Sequence, residues 1–429
     1  MPSAVHERIA ATWRLESAAI VAAVARRVRD LGVAEDIAQD ALVAALDHWP
    51  REGVPDKPGA WLMRVALNRA IDHLRQRTTR EGHEADLAAD LVALQADRVP
   101  DIADAVDAAR QDVIGDDLLR LIFTACHPVL SPDARVALTL KLLGGLTTHE
   151  IARAMLQTEP TIAQRIVRAQ RSLRSSGVPF EVPRAEALAE RLSSVLEVIY
   201  LVFNEGYTAT RGDDWLRPAL CDESLRLARV LASLMPEQPE VLGLLALLAI
   251  QASRIPARLD TEGRPVLLEQ QDRSRWDRLL IRLGLEALER ADATAPSPGP
   301  YHLQAAIAAC HARAPTAADT DWARMASLYA ELARVQPSPV VELNRAVAVS
   351  RHAGAAAGLQ VLAPLLGEPA LARYPWLHAV HGDLLERLGH TQLASDAFQR
   401  AAALSGNRPD QTLLQQRADA LRGGEPADP

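Results

Sequence analysis

From Arg184 to Leu421 apolar residues recur at helical spacing between Pro and Gly turns, and no stretch alternates apolar with polar as a half-buried strand does. That restricts this part of the chain to an all-α architecture. Ala/Leu-rich segments follow one another: DESLRLARVLASLMP, EVLGLLALLAIQASR, DRLLIRLGLEALERA, YHLQAAIAACHAR, WARMASLYAELARV and VVELNRAVAVSR. They carry a weak internal repeat. Leu303, Ala306 and Ala308 correspond to Leu343, Ala346 and Ala348, and Pro298-x-Pro300 is echoed by Pro337-x-Pro339. Such a series buries its faces by stacking, unit against unit. Arg184 to Asn204 should be a long helix with Gly206 as its C-terminal stop. Arg254 to Arg275 is polar, interrupts the series and reads as a loop insertion.

A second local pattern lies upstream, in Thr147 to Arg174. Thr147 with Glu150 forms a capping box, so a short helix starts there with Ile151, Ala152 and Met155 on its apolar face. Thr158 caps a second helix, and Pro160 is tolerated in its first turn. Ile162, Ile166, Ala169 and Leu173 make one buried stripe. At ~100° per residue Thr161, Gln164, Arg165, Arg168 and Arg171 fall opposite it. This is a helix-turn-helix arrangement, whose second helix can enter a major groove. There Arg165 or Arg168 suits guanine and Gln164 suits adenine. An ordinary solvated basic face would show the same pattern.

The net charge of −8 would argue against a nucleic-acid partner if it were evenly spread. It is not. Residues 60–80 carry five arginines against one aspartate, and 151–176 five against one glutamate. Between them, 81–117 carries eleven acidic residues against two arginines. Few aromatics and Pro100 make that acidic strap an extended or loosely helical linker. Phosphate contacts dominate affinity for DNA, so two modest basic patches on an acidic protein should bind free DNA weakly. Cys126, Cys221 and Cys310 are isolated, without metal-ligand spacing, which fits a reducing cytoplasm and no metal or other cofactor. No apolar run approaches the roughly 18 residues of a membrane span, and residues 1–14 lack a signal-peptide pattern.

Toward the amino terminus, Trp13 to Val28 should be a helix broken by Gly32. Ala34 to Trp49 should be a second, with Ile37, Ala38, Ala41, Leu42, Ala45 and Leu46 as its dry stripe. Asp36, Gln39 and Asp40 fall opposite, with Val43 and Asp47, either as a solvated acidic face or as a dock for a basic helix. Residues 50–58 read as a loop and Gly59 to Thr79 as a third helix. Met63, Ala66, Leu67, Ala70, Ile71 and Leu74 point inward. Asn68, Arg69, Asp72, Arg75 and Gln76 point outward beside an exposed Trp61, a set that suits backbone and base contacts to DNA.

AEDIAQDALVAALDHW, then PGAWLMRVALNRAIDHLRQR, then the acidic strap and the helix-turn-helix resemble an extracytoplasmic-function sigma factor of bacterial RNA polymerase. The match covers about the first 180 residues in the family's order. The last repeat, LHAVHGDLLERLGHTQLASDAFQRAAAL, resembles a tetratricopeptide unit, with Leu388-Gly389 at its turn and Ala394 and Phe398 at packing positions. The chain is similar to the subgroup of these factors with a long C-terminal helical-repeat extension. VFNEGYTATRGDDW and EQQDRSRWD resemble segments of that subgroup. There Asn204, Glu205, Tyr207, Arg273 and Trp276 either line a ligand or docking site or serve as caps and interdomain polar residues. Asp213 and Asp214 read as caps before Trp215.

The resemblance implies domain two over 1–80, an acidic linker over 81–115, domain four over 116–178 and a tetratricopeptide-like solenoid over 184–425. It implies that Asp36, Gln39 and Asp40 grip the β′ clamp helices of core polymerase, and that domain four meets the β flap. The loop after Trp49 would receive a flipped base of the −10 element. Trp61, Asn68, Arg69, Asp72 and Arg75 would lie on that element, and Thr161, Gln164, Arg165, Arg168 and Arg171 on the −35 element. Unstacking a base costs a few kcal/mol, recovered only where the pocket fits it, so opening becomes sequence-selective. The strap would thread a basic channel of the polymerase. The rival reading is a DNA-binding repressor fused to a peptide-binding scaffold. An enzyme is disfavoured, because no phosphate loop, metal cluster or nucleophile–base pair is present in the sequence.

Overall fold

The computed structural model describes residues 4–81, 117–155, 157–183, 185–208, 216–294, 297–406 and 408–423. Apart from one isolated bridge, Leu259 to Pro265, every regular element among them is helical. The all-α expectation holds. Contacts divide the chain into two compact units, Met1–Ile199 and Tyr200–Pro429.

In the first unit three helices pack together: α1 (Ala4–Val28), α2 (Leu31–Glu52) and α3 (Pro58–Glu81). Their core holds Ile20, Val24, Ile37, Trp49 and Leu62, with Ala34, Ala38, Ala41, Ala45, Ala66 and Ala70 letting the helices approach closely. Gly32 does not break α1 from α2. Arg29 takes the left-handed conformation (φ 54°), and the Asp30 carboxylate accepts from the Gly32 and Val33 amides at 2.9 and 3.2 Å. The helix therefore starts at Leu31 with Gly32 inside its first turn. The loop expected at 50–58 shrinks likewise, because Pro50 is carried inside α2 and the helix runs to Glu52. Two inward assignments shift. Leu46 is exposed, and Leu62, not Met63, occupies the centre of α3.

Helix α4 (117–125) then leads to α5 (Pro132–Leu142), α6 (Thr148–Ala154) and α7 (Glu159–Ser175). The strap over 82–116, with its Pro100, lies outside the described residues. Asp117, the first residue of α4, is buried between Arg26 (3.4 Å) and Arg120 (2.6 Å), an anchor for that helix. Burial outweighs both arginines and raises its carboxyl pKa.

Helix α8 (Ala185–Tyr207) crosses from one unit into the other. Its first part seals the helix-turn-helix unit: Arg191 donates to the Phe123 carbonyl (2.6 Å), and Ser194 Oγ donates to the Cys126 carbonyl (2.6 Å). Arg135, itself buried, donates to Ser194 Oγ (2.5 Å) and Glu197 (3.0 Å). Gly206 is not a stop. It lies within α8, where an added Cβ would come within 2.8 Å of the Cys221 amide and the Leu220 Cβ, so glycine permits a close crossing.

The second unit continues through α9 (Pro218–Leu234), α10 (Pro239–Ala252), α11 (Arg278–Thr294), α12 (Pro300–Arg313), α13 (Trp322–Val335), α14 (Pro339–Ala353), α15 (Ala355–Leu362), α16 (Pro375–Arg387), α17 (Thr391–Leu404) and α18 (Arg408–Gly423). Neighbours in sequence are neighbours in space, as a repeat architecture requires. Residues 239–257 are long and apolar enough to cross a membrane, but 72% of that window is buried inside the protein, as befits a core helix. In the last repeat Gly389 has φ 83°, Ala394 and Phe398 are fully buried, and Gly382 lies under the Phe398 ring. Asp213, Asp214 and Trp215 lie outside the described residues.

Candidate nucleic-acid interface

The helix-turn-helix forms as its local chemistry demands. Thr147 and Glu150 bond reciprocally: the Thr147 amide donates to Glu150 (2.8 Å), and the Glu150 amide donates to Thr147 Oγ1 (3.1 Å). Partial burial pushes the Glu150 carboxyl up, but these bonds and Arg14 bring it below its ordinary range. Thr158 caps α7 through the Thr161 amide (3.4 Å). Ile162, Ile166, Ala169 and Leu173 are all buried, as the stripe requires. Opposite them, Thr161, Gln164, Arg168 and Arg171 are exposed. Arg165 differs. It is 22% exposed and pairs with Asp133 of α5 at 3.4 Å, so its guanidinium is tied to that helix.

On α2, Asp36, Gln39 and Asp40 are exposed together. The Asp36 pKa is raised, first by partial burial and then by the charges of Asp40 and Asp30. Like charges so placed repel, and a cationic partner would relieve the strain. Val43 and Leu46 continue the face at 59% and 41% exposure, a wet apolar strip beside an acidic one. The α3 residues abut it, because Arg69 pairs with Asp40 at 3.3 Å. Asn68, Asp72 and Arg75 are exposed, with Arg75 and Asp72 paired at 3.5 Å. Trp61 is only half-buried rather than free for stacking. It packs edge-on against Trp49 (centroids 5.5 Å apart) and tilts over His48 (6.1 Å), at the end of α2.

Compared with known proteins, residues 15–80 match Sigma-70 region 2, residues 120–173 match Sigma-70 region 4, and residues 191–292 match a family of unknown function, DUF6596. An uncharacterised protein of Rhizobium meliloti is 44% identical over 94% of this chain and 93% of its own length. The probable ECF RNA polymerase sigma factor SigI of Mycobacterium tuberculosis is 30% identical over 42% of this chain and 59% of its own. The ECF RNA polymerase sigma factor SigK of Mycobacterium ulcerans is 30% identical over 35% of this chain and 76% of its own. The chain belongs to the ECF sigma factors. It directs RNA polymerase to promoters for transcription initiation, with core polymerase and promoter DNA as its partners.

In this sigma factor regions 2 and 4 touch. Arg174 of α7 pairs with Asp30, and Gln170 donates to Glu35 at 2.8 Å. Lys141 of α5 pairs with Glu35 at 3.2 Å, both side chains at most 15% exposed. Arg14 of α1 reaches Glu150 at 3.3 Å. Gly145, at φ 63°, lets the turn after α5 lie on α1, since a Cβ there would come 2.7 Å from Ser17 Oγ. None of these contacts was foreseen from sequence. Glu35 and its partners lie more than 100 positions apart in the chain, and Asp30 both caps α2 and pairs with Arg174.

Proposed function

We propose that the sigma factor holds core polymerase through the α2 ridge of Asp36, Gln39 and Asp40, against the β′ clamp helices, while region 4 meets the β flap. Helix α3 lies on the −10 element with Asn68, Arg69, Asp72 and Arg75, and Trp61 supports the loop where a flipped base is held. Helix α7 reads the −35 element with Thr161, Gln164, Arg168 and Arg171. Arg165 acts there through its bond to Asp133 as a positioning residue. The observation that carries this reading is the exposure of all three polar faces on helices whose opposite sides are packed. The Asp40–Arg69 pair adds a coupling: polymerase engaging Asp40 frees Arg69 for DNA. In this reading the protein catalyses nothing itself, works in the cytoplasm with the polymerase, and uses the C-terminal repeat unit to regulate or complete the assembly.

Arg168→Ala is expected to lower initiation at the cognate promoter about tenfold to a hundredfold, the value of one good base contact. Binding to core polymerase should stay unchanged, as gel filtration would report. The role of the repeats is tested by truncation after Ile199, because a cut at Pro183 would remove Arg191, Ser194 and Glu197 from the region 4 core. Residues 1–199 initiating more strongly than the full chain would mark the repeats as an inhibitor in cis. Inactivity of that truncation would mark them as required, and unchanged activity would remove any regulatory role.

A further inference from the structure

Helix α7 is built on two faces. Ile162, Ile166, Ala169 and Leu173 are buried, and the opposite side carries Thr161, Gln164, Arg168 and Arg171 in water. One residue breaks that division. Val167 is 51% exposed, the one large apolar side chain left in water among the described residues of α7. At ~100° per residue, Gln164 and Arg171 point within ~10° of the direction opposite the buried stripe, Arg168 lies ~50° to one side of it and Val167 ~50° to the other. Val167 therefore stands as near the middle of the outward face as Arg168 does.

The same geometry sets its neighbours. Gln164 lies three residues before it and Arg171 four after, each about 5–6 Å away between Cβ atoms. Ala163, one turn earlier, is also exposed, so Ala163 and Val167 form a short apolar row beside the polar row of Gln164, Arg168 and Arg171. The apolar row continues into Gln170 and Arg174, which are bonded to Glu35 and Asp30 of α2. The contact between regions 2 and 4 thus takes up the end of this row and leaves Ala163 and Val167 exposed.

A lone exposed valine on a solvated helix needs no explanation. One framed by base-reading groups on a helix that enters a major groove has a specific chemical complement. Valine offers no donor and no acceptor, so it gains contact from a base edge only where that edge is apolar. Thymine alone presents such a group in the major groove, its C5 methyl. Valine also suits the task mechanically. Two heavy atoms on Cβ hold χ1 in one rotamer on a helix, so its methyls are in place before the base arrives and little side-chain freedom is lost.

We propose that Val167 is a specificity-determining residue of α7, packing its methyls on the C5 methyl of one thymine in the −35 element, within about two base pairs of the base bonded by Gln164. The inference rests on the reading of α7 as the −35 helix and adds to it one position chosen by apolar contact rather than by hydrogen bonds.

The test removes the methyl and nothing else. The full chain with core polymerase initiates from its promoter, with each thymine of the −35 element on either strand replaced in turn by deoxyuridine. Loss of one methyl contact should lower wild-type initiation about threefold to fivefold at one position. Val167→Ala should lower initiation on the unmodified promoter by about the same factor, and deoxyuridine at that position should lower the variant no further. Circular dichroism should show an unchanged fold, because the position is exposed and alanine favours helix. Wild-type protein indifferent to every deoxyuridine overturns the assignment, and so does a variant that loses as much at that thymine as wild type does. Arg168→Ala tells two failures apart. If it lowers initiation while no methyl matters, only the role of Val167 falls; if it too is without effect, the −35 reading falls and Val167 with it.

Discussion

Reversing the acidic ridge with Asp36→Arg and Asp40→Arg is expected to abolish co-elution with core RNA polymerase and to cut promoter-specific initiation by about a hundredfold or more. Truncating one member of a buried interfacial charge pair costs about 2–5 kcal/mol, and reversal adds repulsion to that loss. Two such changes exceed the roughly 2.7 kcal/mol that corresponds to a hundredfold. The fold itself should survive. Both carboxylates are exposed, and the one ion pair given up, Asp40 with Arg69, is 64% and 39% exposed, a class worth about 1 kcal/mol at most. Removing Asp36 also relieves its repulsion with Asp40 and Asp30. Gel filtration with core polymerase and circular dichroism of the free variant check the two halves. Full co-elution of a folded double variant would contradict the assignment of this face.

The second large effect concerns the contact between regions 2 and 4. At 3.4 Å per base pair, two elements about 25 base pairs apart are separated by ~85 Å along B-form DNA. Helix α7, with 17 residues, is only ~25 Å long. In the proposed reading α3 and α7 both pack against α2 while Glu35–Gln170, Glu35–Lys141 and Asp30–Arg174 are made, far closer than that, so the contact is expected to open on the promoter. Its polar bonds suit that task, because water and polymerase can replace them more readily than a greasy seam. Cysteines at Gly32 and Gln170, bridged by a short reducible maleimide reagent, should remove promoter-dependent initiation completely, and reductant should restore it. The native cysteines would interfere little, since Cys126 and Cys221 are buried and only Cys310 is half-buried and needs replacing. A bridged protein that initiates at the normal rate would show that the closed form is the working one.

What could be read without coordinates was what neighbours in sequence decide. The Thr147–Glu150 box, the Thr158 cap and the Ile162–Leu173 stripe each depend on residues within a turn or two, and the structure reproduces them. The last repeat was legible for the same reason, since Gly389 supplies a left-handed turn and Phe398 fills the space above Gly382. Errors arose where a distant partner decides. Leu46 shares the helical face of Ala45 and Trp49, yet it is exposed, with no helix among the described residues covering it. Arg29, not Gly32, takes the left-handed turn because Asp30 caps the next helix directly after it. Gln170 and Glu35 are 135 positions apart, and no periodicity connects them. The burial of Arg258 and Arg273, at 6% and 9% exposure, was hidden most thoroughly, because a polar stretch between helices reads as solvated until its aromatic partners, Tyr207 and Trp276, are placed.

The central claim is that the DNA-reading helices act only once core polymerase holds this protein by its acidic ridge. Reconstitution decides it: the purified full chain, core polymerase and a promoter recovered by sequencing bound DNA, assayed for initiation and, separately, for DNA binding without polymerase. Co-migration with core, initiation at that promoter and weak, salt-sensitive binding to the free duplex are the expected results. Tight, sequence-specific binding to the duplex by a chain that ignores core polymerase would contradict the claim.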